Sequence, residues 1–273
     1  MSVAAFLSNA SMAFESPLKI TSLSDLQGPL ELLQKGSSPE KGLVIFDIDM
    51  TLTMNTNPAF HMSSFIRNRS WLKKFKASLD PDLWTLMMNL AITQTPNILI
   101  EPNAPELLKE LQKAGYKTLA LTAIFSGPLA KKESLEKDRH KELTRLGFNF
   151  NSSFEDILPF SLTNIPPYRG HHPVFFKGIL CANLSSAKSP HKGDILVAFL
   201  EKTGINPDYI LFIDDKLQNC LDIEESLKKV FPEIRYIGLH YTGAMTAFPE
   251  IKTSQKDLEI EIKHLMTQAQ KTD

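Results

Sequence analysis

The sequence predicts an α/β fold built on a doubly wound, Rossmann-like parallel sheet. Two observations carry that prediction. Leu43-Val-Ile-Phe46 and Tyr209-Ile-Leu-Phe-Ile213 are short, continuous apolar runs, the pattern of strands buried on both faces of a parallel sheet. Amphipathic stretches closed by glycine separate such runs, which is the alternation that strand–helix–strand units produce. With 273 residues, 42% of them apolar and 22% charged, the chain has ordinary globular composition. It can build one large α/β domain or two small ones.

The elements follow in order. Leu23, Leu26, Leu30 and Leu33 recur at helical spacing, and Gly28-Pro29 predicts a short or broken helix there. Gly36 to Pro39 reads as a loop, and the strand 43–46 then ends on Asp47. Residues 58–94 carry two helical patterns. The second opens Asp80-Pro81, a capping acid followed by proline at the first helical position. Pro105 to Ala114 is an amphipathic helix stopped by Gly115, and the strand from Tyr116 to Leu121 ends on Thr122. Leu129 to Leu146 alternates charges and predicts a solvated helix stopped by Gly147.

Phe148-Asn-Phe150 is expected as a short third strand, and Val174 to Leu184 as a β-hairpin within the Pro-rich stretch 151–190. Gly193 to Thr203 is helical with Gly204 as its stop. The strand 209–213 ends on Asp214-Asp215, a further helix follows, Arg235 to Tyr241 gives the last strand, and the tail from Glu250 is helical.

Bulk properties exclude some functions. The formal net charge of −1 gives no electrostatic grip on nucleic acid or a membrane surface. No run approaches the roughly 18 apolar residues of a membrane span. Cys181 and Cys220 are too few and too far apart for a disulfide scaffold or zinc cluster, and read as buried free thiols, with a single bridge as the alternative. His171, His172 and His191 have no zinc spacing and read as loop histidines. Within residues 1–13, Ser2 to Leu7 is apolar and Ser11 to Ala13 puts small residues before Phe14, but no basic residue precedes Lys19. They read as the remnant of a secretory signal, with a short apolar arm as the alternative.

The chemistry is carried by acids at strand ends. Asp47 and Asp49, just past a buried strand, both reach the crevice in which open α/β sheets bind ligands. Crowding anionic groups there is costly unless a cation offsets them. A window of the form Asp-x-Asp-x-Thr arises by chance in roughly one of ten thousand places at ordinary composition, so turn capping is the weaker explanation. Asp214-Asp215, followed by Asn219, is alone more often a helix cap. Together with Asp47 the pair predicts a hard-cation site, because magnesium favours a few carboxylates with water and substrate oxygens. Thr122 is either a turn residue or a phosphate-binding hydroxyl. Lys192 sits at a helix N-terminus, where the macrodipole disfavours a cation, which points to a ligand role.

In this order, these residues resemble the four signature motifs of the haloacid-dehalogenase (HAD) superfamily. Asp47-x-Asp49-x-Thr51 looks like the first motif, with Met50 where glycine is commonest, a departure the family tolerates. Thr122 resembles the second motif, Lys192 the third, and Ile213-Asp214-Asp215-x-x-x-Asn219 the fourth in its double-acid form. The resemblance covers roughly residues 40 to 243 and is nearest to bacterial acid-phosphatase-like and uncharacterised secreted branches.

It implies a magnesium-dependent phosphatase acting on a small phosphorylated molecule. Asp47 is then the nucleophile, and Asp49 the general acid and base. Thr51, Thr122 and Lys192 hold the phosphate. Mg2+ is held by Asp47, Asp49 through its carbonyl, and Asp215, with Asp214 in support. Dehalogenase branches lack the second acid, so Asp49 argues against carbon–halogen chemistry.

The domain organisation expected from this is a signal remnant over 1–13, a core over 14–56 and 95–249, a helical cap over 57–94, and a helical tail over 250–273. The hairpin region 151–190 is expected as a second rim element. Trp71, Trp84, Phe60 and Phe65 are candidates for a cap lining, against core packing as the commoner role. A periplasmic or secreted location goes with the signal, and a cytoplasmic one without it. Two alternatives remain: a secreted binding or effector protein on an inactive HAD fold, or a phosphotransferase that delivers the group to an alcohol.

Overall fold

A computed structural model describes residues 17–185, 190–248 and 252–272. The expected signal remnant, 1–13, lies outside the described residues. The strands are β1 (Leu18–Ile20), β2 (Gly42–Phe46), β3 (Thr53–Asn55), β4 (Asn97–Leu99), β5 (Lys117–Thr122), β6 (Phe160–Ser161), β7 (Val174–Phe176), β8 (Ile179–Cys181), β9 (Tyr209–Asp214) and β10 (Arg235–Tyr241). The helices are α1 (Gln27–Gln34), α2 (Met62–Arg67), α3 (Arg69–Ala77), α4 (Pro81–Gln94), α5 (Ala104–Lys113), α6 (Leu135–Arg145), α7 (Lys192–Thr203), α8 (Leu217–Val230) and α9 (Gln255–Ala269).

The fold is α/β, with a large, mostly parallel central sheet flanked by helices. Eight strands run in the order β1-β10-β9-β2-β5-β8-β7-β6, parallel from β1 through β8 and antiparallel for the last two. The apolar runs are continuous because both faces are covered. Val44 and Phe46 of β2 point into one core cluster and Leu43 and Ile45 into the other. Buried residues of α1, α5 and α6 belong to the first cluster, and those of α7 and α8 to the second. From β2 the chain moves outward to β5 and β8, then crosses to β9 and β10 on the other side. The carboxyl end of β2 is therefore where the strand order reverses, the place where such sheets hold ligands.

Between β2 and β5 the chain inserts the antiparallel ribbon β3–β4 and the helices α2, α3 and α4. Asp80 caps α4 by accepting from the amides of Asp82 and Leu83, with Pro81 at the first turn, as its sequence predicts. Three helices form where two patterns were expected, because Asn68 breaks the first into α2 and α3. The tail helix α9 packs along α4, burying Leu258, Ile262, Leu265 and Ala269 in the same cluster as Leu86 and Leu90. Arg67 Nη1 also donates to the Thr253 carbonyl at 3.0 Å. The tail thus belongs to the packed body and braces the insertion.

The short helix expected near Leu23 to Leu33 forms as a 3-10 turn over Leu23–Leu26 leading into α1, with Gly28 and Pro29 in its first turn, where proline costs little. Three expectations need correction. Phe148 to Phe150 is not a strand; Phe150 starts a 3-10 turn and stacks on Phe148. The third strand on that side of β2 is instead β8, so the hairpin at 174–184 extends the main sheet rather than forming a separate rim. Its turn places Lys177 and Gly178 at φ 49° and 78°, the twist-matched conformation for a two-residue hairpin. A side chain on Gly178 would meet the Phe150 carbonyl oxygen. Finally, α6 is not a solvated helix throughout, since Leu135, Arg139 and Leu143 are buried.

Candidate active site

Strands β2, β5 and β9 deliver the site from their carboxyl ends. Asp47 follows β2 directly, and its amide donates to the Ile213 carbonyl of β9 at 2.8 Å. Asp214 closes β9 and is fully buried, with Asp215 next to it nearly so. One oxygen from each of Asp47, Asp214 and Asp215 lies within 4.8 Å of the others. Thr122 closes β5, with its hydroxyl 3.3 Å from Asp49 Oδ2.

Lys192 enters from the first turn of α7. A side chain on the neighbouring Gly193 would collide with the Asp222 carbonyl and the Ser226 hydroxyl of α8. Glycine there lets the two helices close up, and Lys192 is driven to 1% exposure. All three protons of its ammonium have acceptors: Asp47 Oδ1 at 2.5 Å, Asp214 Oδ2 at 2.8 Å and the Leu121 carbonyl at 2.9 Å. The cation that the helix dipole disfavours is stabilised by two carboxylates.

Each acid has a distinct environment. Asp214 accepts from Lys192, from Asn219 Nδ2 on both its oxygens at 2.9 Å, and from the Lys216 amide at 2.8 Å. That saturation makes it a holder of Lys192. Asp47 accepts from Lys192 on one oxygen and from the Thr51 hydroxyl, at 3.3 Å, on the other. Thr51 thus orients Asp47. Burial pushes the Asp47 carboxyl up to about 6, against the pull of the Lys192 ammonium, while Asp214 and Asp49 push the same way. Burial likewise holds the Asp215 carboxyl well above the usual carboxylate range, partly offset by Lys216. Burial opposes charge on Lys192, but Asp214 and Asp47 outweigh it and hold its proton more tightly than water does.

Asp49 stands apart from the triad of acids. Both its oxygens accept from Arg139 Nη2, at 2.8 and 3.0 Å. Arg139 is buried in the middle of α6, and its Nη1 donates to Glu142 at 2.8 Å. Glu142 in turn accepts from the Asn97 backbone and side-chain amides at 3.0 and 2.8 Å. Sequence reasoning missed this chain of contacts. The available signal was Leu135, Arg139 and Leu143 at intervals of four, one buried helical stripe with a charge in its centre.

The remaining candidates resolve as follows. His171 and His172 contribute loop contacts and His191 caps α7, its amide donating to Asp194 at 3.0 Å. Among the described residues, the one carboxylate, thiol or imidazole group close enough to hold a metal is that of Asp47, Asp214 and Asp215. Cys181 and Cys220 are buried free thiols, as expected. Phe60 and Phe65 line a cavity beside the acids, while Trp71 and Trp84 pack on the core cluster. Among the described residues, no helix is long and apolar enough to cross a membrane.

The donor set fits a hard divalent cation. Of three clustered carboxylates, two bond the Lys192 ammonium while Asp215 lies near Lys216, and Asp47 and Asp215 pay for burial with raised proton affinity. A cation would offset that deficit, and an all-oxygen donor set suits magnesium better than zinc or copper.

Comparison with known proteins gives a family and several relatives. The family model described as "Protein of unknown function (DUF2608)" matches residues 19–271. An uncharacterized protein of Rickettsia felis (strain ATCC VR-1525 / URRWXCal2) is 26% identical over 177 residues, which is 63% of this chain and 56% of that protein. One from Rickettsia bellii (strain RML369-C) is 20% identical over 218 residues, 77% of this chain and 71% of its own length. A third, from Rickettsia conorii (strain ATCC VR-613 / Malish 7), is 24% identical over 151 residues, 54% of this chain and 49% of its own length. The chain therefore spans little more than half of the Rickettsia felis protein.

Proposed function

We propose that this chain, which belongs to the family "Protein of unknown function (DUF2608)", is a magnesium-dependent phosphatase that hydrolyses a phosphomonoester through Asp47. The observation that carries the reading is the convergence of Asp47, Asp214 and Asp215 on one point, with Lys192 bonded to two of them. The resemblance to the HAD superfamily adds to it, and a doubly wound core with a helical cap over 57–94 agrees with the strand reversal at β2 and the insertion after it.

The chain's residues divide the work. Asp47 attacks phosphorus, the bond to the leaving oxygen breaks, and its electron pair goes to that oxygen. Asp49 gives the leaving oxygen a proton, so the alcohol departs and an aspartyl-phosphate remains. Water then attacks the phosphorus, Asp49 takes its proton, the bond to Asp47 breaks, and phosphate is released. Lys192 and Thr122 stabilise charge on the transferring group. Asp214 and Asn219 keep Lys192 aimed at Asp47. Asp47, Asp215 and the Asp49 carbonyl would hold magnesium, with Asp214 in support; bound there, it would neutralise charge on the phosphoryl oxygens.

Arg139 has no counterpart in the motif resemblance and acts through Asp49. Its two contacts fix the acid's orientation, and Glu142 fixes Arg139. The test is release of inorganic phosphate from a panel of phosphate esters, with and without magnesium. Magnesium-dependent release that disappears in Asp47→Asn supports the reading. A folded protein that hydrolyses no ester in the panel overturns it.

A further inference from the structure

A cavity of about 190 Å³ opens between the inserted helices and the acids. Asp49, Asp215 and Lys216 line it on the side of the acids. Its walls are Met50 and Met54 beside β2 and β3, Phe60 and Phe65 at the start of the insertion, and Met88 and Ile92 of α4.

The amide and hydroxyl side chains in that wall are already engaged, and the one cationic group of the lining, Lys216, stands beside Asp215 at the acid end. Asn55 Nδ2 donates to the Ala91 carbonyl at 2.8 Å, and its Oδ1 accepts from the Asn57 amide at 2.7 Å. Asn97 Nδ2 donates to the Ile92 carbonyl at 3.3 Å and Glu142 at 2.8 Å. The Thr53 hydroxyl points to the Ile48 carbonyl at 3.4 Å. A ligand hydroxyl placed against the methionines and phenylalanines, away from the acid end, would give up water without gaining these donors, which is unfavourable.

Met50 supplies an independent observation. Its φ is 66°, in the left-handed region that glycine occupies freely and other residues enter at a cost in backbone strain. The site where glycine would be relaxed instead carries a long apolar side chain, and that side chain lines the cavity. Methionine suits such a wall because it is flexible and polarisable and adapts to irregular apolar shapes.

We infer that the cavity receives the leaving group of the substrate, and that the substrate class is the phosphate monoester of a small apolar alcohol or phenol. The inference rests on the phosphatase reading, because it places the leaving oxygen beside Asp49. An apolar cavity of about 150 Å³ accepts a benzene ring, so a space of about 190 Å³ takes a single ring or a short branched chain. Sugar and nucleoside monoesters are disfavoured by the cost of bringing their hydroxyls against the apolar wall. An apolar pocket discriminates to a bounded degree, one methylene changing kcat/KM by roughly 10- to 200-fold and an added hydroxyl by about 100-fold.

The test compares butyl phosphate with glycerol 3-phosphate, whose leaving groups are similar in size and both primary alcohols, in the full chain with magnesium. A kcat/KM for butyl phosphate at least about tenfold higher, rising further with benzyl phosphate, supports the inference. In Met88→Gln the preference for butyl over glycerol phosphate falls towards one. Equal rates, or faster hydrolysis of glycerol phosphate, overturn the inference and leave the phosphatase reading standing. Absence of hydrolysis for every ester by folded protein overturns both.

Discussion

Arg139 Nη2 lies 2.8 and 3.0 Å from the two oxygens of Asp49, and it does so from a helix whose remaining charges face solvent or its rim. A buried guanidinium so placed leaves Asp49 one orientation, and the Thr122 hydroxyl donates to the same carboxylate, on Oδ2, at 3.3 Å. Replacing Arg139 by Lys keeps the charge but loses the planar donor fork. The expected result is a kcat lowered by roughly 10- to 100-fold, with KM for the phosphate ester nearly unchanged. Arg139→Ala should in addition destabilise the fold by about 3 kcal/mol, because it leaves Glu142 and Asp49 without their buried partner. Steady-state kinetics and urea unfolding check the two parts.

Asp47 gives a stability prediction with a defined sign. Its carboxyl is raised from an ordinary value near 3.8 to about 6 by burial. A raised acid contributes stability that is fully present below its unfolded pKa and is lost as pH rises through the folded one. The metal-free protein should therefore lose stability between about pH 4 and pH 6. Asp47→Asn removes the ionisation, so at pH 8 it should unfold at a higher temperature than wild type without magnesium while having no turnover, a stability gained where function is lost. Thermal melts of both proteins across this range test it.

His61 predicts the opposite slope in the inserted helices. It is buried, its Nε2 bonds the Asn55 carbonyl at 2.8 Å, and burial lowers its pKa below the usual imidazole value. A lowered base favours the folded state above the unfolded pKa, near 6.5, and that contribution is lost as pH falls below it. Amide exchange in α2 and α4, corrected for its intrinsic pH dependence, should therefore accelerate from pH 7 to pH 5. In His61→Gln that acid-dependent part should disappear.

Cys181 and Cys220 should be chemically silent in the folded protein. Both are fully buried, and burial raises both thiols far above their ordinary pKa, so the reactive thiolate is suppressed. A thiol reagent should label neither at pH 8 and both after denaturation, as mass spectrometry would count.

Much of the central sheet was legible because its signals are local. The runs 43–46 and 209–213 announce strands buried on both faces, and the acids that close them are adjacent in sequence to what positions them. Glycine stops at Gly115, Gly147 and Gly204 all take positive φ as expected. What escaped depends on partners distant in the chain. Phe148 to Phe150 has strand-like composition, yet β8 takes the place beside β5, and pairing leaves no trace in either segment alone. Arg139 was hidden among the charges of α6, where only the leucines four residues to each side mark it as buried. The cavity beyond Asp49 was partly legible: Phe60 and Phe65 line it, but the methionines do so through the fold of the insertion.

Calorimetric titration with magnesium at pH 7.5 tests the central claim most directly. Wild-type protein should bind one ion per chain, and Asp47→Asn and Asp215→Asn should each lose most of that heat while remaining folded. If folded wild type takes up no magnesium, or if both variants bind it as tightly as wild type, the three carboxylates are not a cation site and the proposed chemistry has no foundation.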